Sequence, residues 1–287
     1  MNEKIALITG ANSGMGLATT IEIANTGATV IMLCRNKQRG ETALKTAKQQ
    51  SGSENIELMI CDLGSLESIR TFVSLFKEKY NKLDILINNA GVMSLKRELT
   101  SDGFEMQLGI NHLGHFLLTN LLLEHLKNAK EARIINVSSG AHKIGKIDLQ
   151  DPFLTKRYGL MKGYAQSKLA NILFTKELSK KLKNTNITVN ALHPGAVATN
   201  IGVNRKTGFG KNLIKLLKPF FLSPEEGAST AVYLATSDEV KDTTGEYFYK
   251  KKIALVSKIA EDNELSKTLW TWSEKQVFLT PKSDAKL

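Results

Sequence analysis

The sequence predicts an α/β fold in which a mainly parallel sheet carries helices on both faces. Three observations predict it. Short apolar runs recur along the chain, separated by stretches with helical periodicity. The runs are apolar throughout rather than alternating, which suits strands buried on both faces. The unusual residues (glycine clusters, paired asparagines, paired serines and a His-Pro-Gly) fall at the ends of these runs. With right-handed crossovers this order gives a doubly wound sheet, whose ligands bind at the carboxyl ends of the strands.

KIALIT (4–9) opens the series as a strand, and GANSGMG leads into a helix through Ile21, Ile23 and Ala24. ATVIMLC (28–34) is the second strand, followed by a polar helix over 37–51. IELMIC (56–61) is the third, closed by Asp62. SLESIRTFVSLFKEKY (65–80) has amphipathic spacing with Ser65 as N-cap. KLDILINNAG (82–91) runs from a fourth strand into a polar turn, and a long helix is expected over about 103–128. ARIINVSS (132–139) is the fifth strand, a helix covers about 161–183, and NITVNALHPG (186–195) is the sixth strand. Residues 196–222 show no regular pattern. SPEEGASTAVYLAT (223–236) carries Ser, then Pro, then Glu, the order of a helix start. GEYFY (245–249) is the seventh strand, and from 262 Leu265, Leu269 and Trp272 share one side of a last helix.

The 287 residues are 42% hydrophobic, enough for one substantial core, and the regular strand–helix rhythm argues for a single domain. Cys34 and Cys61 are the only cysteines. Both close apolar strands, as buried thiols of a reducing compartment do, so no disulfide framework is expected. The N-terminus has neither the apolar stretch nor the cleavage site of a signal peptide, and no run of about 18 apolar residues occurs. A cytoplasmic chain without a transmembrane span is expected. The formal charge is +11, but the lysines are scattered over successive helices and no nucleic-acid motif is present. A basic solvated surface, or one that attracts a phosphate-bearing ligand, is expected, with no nucleic-acid partner.

TGANSGMG (9–16) places Gly10, Gly14 and Gly16 between the first strand and the first helix. Gly10 permits a tight turn, Gly14 lets backbone approach a pyrophosphate, and Gly16 lets the helix pack closely. Asn12, Ser13 and Met15 belong to the same loop, and the helix N-terminus faces the phosphates. Such a turn alone can be a plain connection. Its place in the first βαβ unit points to a Rossmann-type dinucleotide site. The second strand ends in CRNKQRG, with Arg35 where an acid would select a ribose 2′-hydroxyl. The fork of Arg35 suits a 2′-phosphate, with Arg39 behind it and Ser13 adding a hydroxyl, so NADP(H) is expected over NAD. The bland alternative is an arginine snorkelling at a strand edge. Asp62, followed by Leu63, is placed either to accept from the adenine amino group or to cap a turn. Asn88, Ala90 and Gly91 lie where the adenosine ribose would pass, though Asn88 and Asn89 would equally hold their own turn. Pro194 and Gly195 turn the backbone beside the nicotinamide, and Val197 and Thr199 follow as contacts to the carboxamide and pyrophosphate.

YGLMKGYAQSKLAN (158–171) holds two tyrosines, each with a lysine four positions on: Tyr158 with Lys162, and Tyr164 with Lys168. On a helix both members of such a pair share a face. An ammonium beside a phenol, whose ordinary pKa is about 10, favours the phenolate and suits proton transfer. Gly159 and Gly163 flank the first pair, so Tyr158 is expected in a loop, as a wall of the substrate site. Tyr164 opens a long amphipathic run.

TGANSGMG, NNAG (88–91), NVSS (136–139), YAQSK (164–168) and HPG (193–195) follow in this order, and in them the chain resembles a short-chain dehydrogenase/reductase. CRNKQRGE, GINHLGHFLLTNLLL (109–123), NVSSGAH and YAQSKLANILF resemble the retinol dehydrogenase-like branch, which also holds light-dependent protochlorophyllide reductases and carbonyl reductases. The later pieces SPEEGA, GEYF and LWTWSE extend the likeness over most of the chain. The resemblance implies a catalytic tetrad of Asn111, Ser139, Tyr164 and Lys168. Ser139 matches as the second of the paired serines. Tyr164 would exchange the proton, Ser139 would donate to the substrate oxygen, and Lys168 would hold the nicotinamide ribose and favour the phenolate. Asn111 would hold a water that links Lys168 to solvent. His193 is expected to pack rather than to act as base, and His112, His115 and His142 lack the paired spacing of a zinc site, so no metal is expected. The cysteine that protochlorophyllide reductases place near their tyrosine is absent from 140–175, and no membrane anchor like that of many retinol dehydrogenases is found.

Ser139 and Tyr164 stand 25 positions apart, leaving an inserted substrate loop at about 140–160. A second segment, 196–222, alternates Lys211, Lys215 and Lys218 with apolar residues. A mobile lid over an apolar pocket is expected, with peripheral membrane contact through KNLIKLLKPFF as the alternative. The expected organisation is a dinucleotide-binding and catalytic part over 1–250 and a helical extension of the same domain over 251–287. The expected activity is NADP(H)-dependent hydride transfer between nicotinamide and a small apolar carbonyl or alcohol substrate. Reduction of an activated C=C bond and a non-catalytic NADP(H)-sensing scaffold are the alternatives. The oligomeric state stays open, a homodimer included.

Overall fold

The computed structural model describes residues 1–195 and 222–279. The strands are β1 (Ile5–Thr9), β2 (Thr29–Cys34), β3 (Ile56–Ile60), β4 (Ile85–Asn88), β5 (Ala132–Val137), β6 (Ile187–His193), β7 (Tyr247–Tyr249) and β8 (Lys252–Ile253). They form one sheet in the order β3-β2-β1-β4-β5-β6-β7-β8. Every pairing through β7 is parallel. The expectation of about seven parallel strands is extended by one: β8 is a short antiparallel edge strand on β7. Its two residues follow the turn Lys250–Lys251, both at positive φ, with no glycine or asparagine to mark it in the sequence.

Helices α1 (Gly14–Asn25), α2 (Lys37–Ser51) and α3 (Leu66–Lys79) connect the first four strands. Asn36 and Ser65 cap α2 and α3 by accepting from Arg39 N and Ser68 N. The predicted long helix is α4 (Met106–Leu108) running through a π-helical segment, Gly109–Gly114, into α5 (His115–Lys127). Then follow α6 (Leu160–Lys181), α7 (Pro224–Thr236), opened by a capping box between Ser223 and Glu226, and α8 (Asn263–Gln276).

Alternate strand residues feed opposite faces. Leu7, Ile31, Leu86 and Ile134 join the core under α3, α5, α6 and α8. Ala6, Val30, Ile85 and Ile135 join the core under α1, α2 and α7. The chain reverses its winding between the neighbours β1 and β4, and the carboxyl ends there form the crevice in which such sheets bind ligands. Among the described residues no helix is long and apolar enough to cross a membrane.

The same alternation settles the cysteines. Cys61 N–H donates to the Cys34 carbonyl at 3.0 Å, so the two strand ends are adjacent. Cys34 nevertheless packs in one core layer and Cys61 in the other, and both are free. Burial pushes each thiol up to about 12. Thiol titration of the native chain should read no reactive cysteine, and of the unfolded chain two; fast native labelling would contradict this burial.

Candidate active site

The chain leaves β1 at Gly10, where φ is +67° and a Cβ would come within 2.9 Å of Ala90 Cα. Gly16, in the first turn of α1, lies against the Gly10 carbonyl, and a Cβ there would sit 2.5 Å from Asn89 Nδ2. Asn89 Nδ2 donates to the Thr9 carbonyl at 2.7 Å. These two glycines therefore let α1 close onto the joint between β1 and β4. Ser13 stands at the N-cap of α1 with no side-chain capping bond, and the first turn carries no acid. The helix start so keeps its donors, and their chemistry fits a pyrophosphate. Met15, expected at the cofactor, packs its side chain into the core instead, because the helix must bury that face. Only its backbone remains for a ligand.

Arg35 follows β2 and is exposed, and no ion pair forms on it among the described residues. Asp62 Oδ1 accepts from Gly64 N at 2.8 Å, so one oxygen serves the turn. Leu63 is buried against the π segment, its carbonyl close to Gly114. The side chain of Asn88 serves the fold. It is 2% exposed and donates to Thr119 Oγ1 at 2.9 Å and Asn136 Oδ1 at 2.7 Å. The parity of the strand turns it into the layer under α5 and α6, away from a ribose. Ala90 N donates to Thr9 Oγ1 at 2.9 Å, and Gly91 faces Lys168 Nζ and Asn111 Oδ1. Pro194 and Gly195 close β6, with Gly195 at φ +88°; Val197 and Thr199 lie outside the described residues.

The catalytic candidates converge at the ends of β4 and β5. Lys168 is 3% exposed, donates Nζ to the Val137 carbonyl at 3.0 Å and lies 5.6 Å from the centre of the Tyr164 ring. Burial pushes its ammonium down to about 8. Burial also raises the Tyr164 phenol, against a smaller downward pull from a hydrogen bond with Ser139. In the free chain the ammonium is bound to the Val137 carbonyl and is itself disfavoured by the dry site. Ser138 is buried and donates to the Lys168 carbonyl at 2.7 Å, while Ser139 faces Tyr164 and also caps the turn at Ala141. Asn111 is wholly buried on the π segment. Its Oδ1 accepts from Val92 N at 2.8 Å, and its Nδ2 donates to the Val92 carbonyl and Ser167 Oγ, each at 3.0 Å. The side chain thus braces loop and helix.

The family profile described as short chain dehydrogenase matches residues 4–208. The chain belongs to the short-chain dehydrogenase family. It is 44% identical over 287 residues to retinol dehydrogenase 13 of Homo sapiens, covering 98% of this chain and 86% of that protein. Retinol dehydrogenase 14 of Homo sapiens is 44% identical over 294 residues, covering 97% and 88%. The crystal structure of an uncharacterised protein from Mycobacterium paratuberculosis superposes with a TM-score of 0.79 at 36% identity, covering 96% of this chain and 94% of that one. The chain is an oxidoreductase of the retinol dehydrogenase branch, in a family that uses a nicotinamide dinucleotide.

Thr9, His115 and Gln107 make contacts at the site that the motifs do not name. Thr9 Oγ1 accepts from Asn89 N and Ala90 N at 2.9 Å each and meets His115 Nε2 at 2.9 Å. His115 Nδ1 lies 3.1 Å from the Asn111 carbonyl. All groups pair if Nδ1–H donates to that carbonyl and the Thr9 hydroxyl donates to Nε2. Gln107, fully buried, donates Nε2 to Tyr158 Oη at 2.9 Å and to the Leu160 carbonyl at 3.2 Å. A hydroxyl closing β1 before a glycine turn, and histidines at i and i+3 around the π segment, are the only sequence signals of these contacts.

The substrate side is firmer than expected. Tyr158 sits in a loop, as predicted, but its hydroxyl is committed: it donates to the Ser94 carbonyl and accepts from Gln107. Arg97 Nε donates to the Phe153 carbonyl at 2.9 Å, and the Phe153 ring packs between Phe104 at 5.5 Å and Trp272 at 5.8 Å. The 140–160 insertion is therefore clasped at its distal end rather than built as a free lid. The 196–222 segment lies outside the described residues up to 221. His193 stacks on Tyr249 at 4.9 Å and 18°, and burial lowers its pKa. No metal cluster forms among the described residues.

Lys168 makes the stability of the free chain pH-dependent. Unfolded, it keeps its proton to about 10.5; folded, it loses it near 8. Between those values the unfolded state binds more protons, so stability rises with pH. Above about 10 the raised Tyr164 phenol opposes this. Urea midpoints from pH 8 to 10 should climb for the wild type relative to Lys168→Met. Parallel curves would contradict the buried ammonium.

Proposed function

We propose that this dehydrogenase uses NADP(H) and interconverts an apolar alcohol and its aldehyde or ketone, with Tyr164 as the acid–base group. One observation carries the reading: Ser139, Tyr164 and Lys168 meet at the carboxyl end of β5, beside a glycine cradle whose donors are free. The residues that would hold the cofactor are the α1 start with Gly10, Asn12, Ser13, Gly14 and Gly16, then Arg35, Asp62, Leu63, Ala90, Gly91, Pro194 and Gly195, with Lys168 at the ribose. When bound, the nicotinamide supplies the hydride.

In reduction, negative charge grows on the carbonyl oxygen. Ser139 Oγ donates to it, and Tyr164 Oη delivers the proton. The raised phenol pKa of the free chain suits this acid role. Lys168 Nζ, brought near neutrality by burial, can return a proton to Tyr164 without leaving the site. Oxidation needs the phenolate, which the positive charge of an oxidised nicotinamide would favour. His115 Nδ1 lies against the Asn111 carbonyl, so the ring braces the segment that carries Asn111.

NADP(H) rests on Arg35, whose exposed guanidinium stands after β2 where no acid lies. An apolar substrate is favoured by the exposed Leu95 and Ile144 on the connecting segments and Met161 at the start of α6. The names of the relatives make a retinoid alcohol or aldehyde the first compound to test within that class. A screen of NADPH oxidation with retinal, aromatic and medium-chain aldehydes and steroid ketones should find turnover. Tight NADPH binding with no turnover on any carbonyl would overturn the enzymatic assignment of the site. Arg35→Ala should weaken NADPH binding by about 10- to 100-fold and leave NADH nearly unchanged, as loss of a charge-assisted phosphate contact does. Equal losses for both cofactors would remove the 2′-phosphate role.

A further inference from the structure

We propose that Ser273 and His112 are positioning residues of the hydride-transfer site, and that α8 holds the helices bearing Asn111 and Lys168 in register. The proposal deepens, and rests on, the dehydrogenase reading above. Helix α8 lies beyond residue 208, where the family profile ends, so the family motifs do not account for it.

The seat of α8 is aromatic. The Trp270 ring meets Phe116 of α5 edge-on at 4.8 Å and stacks on Phe174 of α6 at 5.8 Å, while Phe116 and Phe174 are 5.3 Å apart. Lys181 Nζ covers the Trp270 ring at 4.7 Å. One helix is thereby wedged against α5, which continues the π segment bearing Asn111, and α6, which bears Tyr164 and Lys168.

A polar contact sits inside this apolar seat. Ser273 is fully buried, and its Oγ lies 2.8 Å from His112 Nε2. His112 is 1% exposed and directly follows Asn111 on the π segment. Its Nδ1 has no partner that meets hydrogen-bond geometry among the described residues. Burial lowers its pKa to about 3, with a small opposite pull from Asn171, so the ring is neutral at working pH. Asn171 belongs to α6, and its Nδ2 donates at 3.1 Å to the Val137 carbonyl. That carbonyl also receives Lys168 Nζ at 3.0 Å. Ser273 and His112 are thus the polar link between α8 and the π segment, while Asn171 and Lys168 meet separately on the Val137 carbonyl.

The π segment needs such support. Its hydrogen bonds are wider than those of an α-helix, and π turns persist where outside contacts favour them. Deleting the Ser273 hydroxyl leaves His112 without its one good partner in a dry site, a penalty the ring can escape only by shifting the turn that carries Asn111. Hydride transfer is sensitive to displacements of a fraction of an ångström.

The test uses the full chain with Ser273→Ala and Ser273→Thr. Ser273→Ala should lower kcat about tenfold, with the Kd for NADPH within about twofold of wild type. Deuterium at the transferring position of NADPH should then slow turnover more than in wild type, because the chemical step has become limiting. Ser273→Thr, which keeps the hydroxyl, should restore kcat. In the cofactor-free chain, amide exchange over 109–114 should accelerate in Ser273→Ala while β2 stays protected, a readout independent of turnover. If Ser273→Ala keeps wild-type kcat per NADPH site and wild-type exchange over 109–114, the positioning role is wrong. A wild-type chain that turns over no carbonyl fails the dehydrogenase reading instead, and the two failures are distinct.

Discussion

A buried polar ladder sets the geometry on which the site depends. Thr119 of α5, Asn88 of β4, Asn136 of β5 and Thr175 of α6 are joined by successive side-chain hydrogen bonds of 2.9, 2.7 and 2.9 Å. All four are essentially inaccessible to water. In a dry interior such bonds are strong and directional, and a broken one leaves an unpaired polar group. The ladder therefore fixes, more sharply than apolar packing alone could, how far α5 and α6 stand from the strand ends between them. Above it, the Thr9 hydroxyl ties β1 to the turn after β4 and to His115. The switch point of the sheet and the Asn111 segment are so joined by a few short polar contacts. The ladder is not fully paired: Asn88 Oδ1 has no partner among the described residues.

The charge state follows from the same dryness. His112 and His115 are held neutral, at about 3 and about 4, and Lys168 is brought near neutrality. Tyr164 is held as the phenol. In the free site Lys168, at about 8, still carries its proton at neutral pH, beside neutral imidazoles and a neutral phenol. Base chemistry in the proposed reverse direction needs the phenolate, which the burial of Tyr164 disfavours in the free chain. This asymmetry was not foreseeable from a Tyr–Lys spacing, which says that two groups are neighbours and not how far each is desolvated.

Much of the fold was legible because the strands are buried on both faces and read as apolar runs. Boundaries for α2 and α3 came within a residue, since Asn36, Ser65 and the following polar residues mark them locally. What escaped notice was non-local. The π segment hides in an unbroken helical pattern, and Thr100 and Leu63, which press on its ends at Gly109 and Gly114, give no local sign of it. Strand β8 is two residues long. Asn88 and Met15 were assigned to the cofactor by their place in a motif, whereas strand parity and helix facing turn their side chains into the core. Tyr158 was correctly placed in a loop. Its partners Ser94 and Gln107 come from distant segments, and no spacing rule could name them.

Those two tyrosines offer the most direct test of the proposed chemistry. Tyr164→Phe and Tyr158→Phe differ from the wild type by one hydroxyl each, and both leave the ring in place. With NADPH and an aldehyde turned over by the wild type, Tyr164→Phe should lose hydride transfer by about 100-fold or more while binding NADPH normally. Tyr158→Phe should retain the chemical step, with its effect confined to KM and to the clasp between the 92–98 and 149–160 loops. An active Tyr164→Phe beside an inactive Tyr158→Phe would contradict the assignment of the entire site.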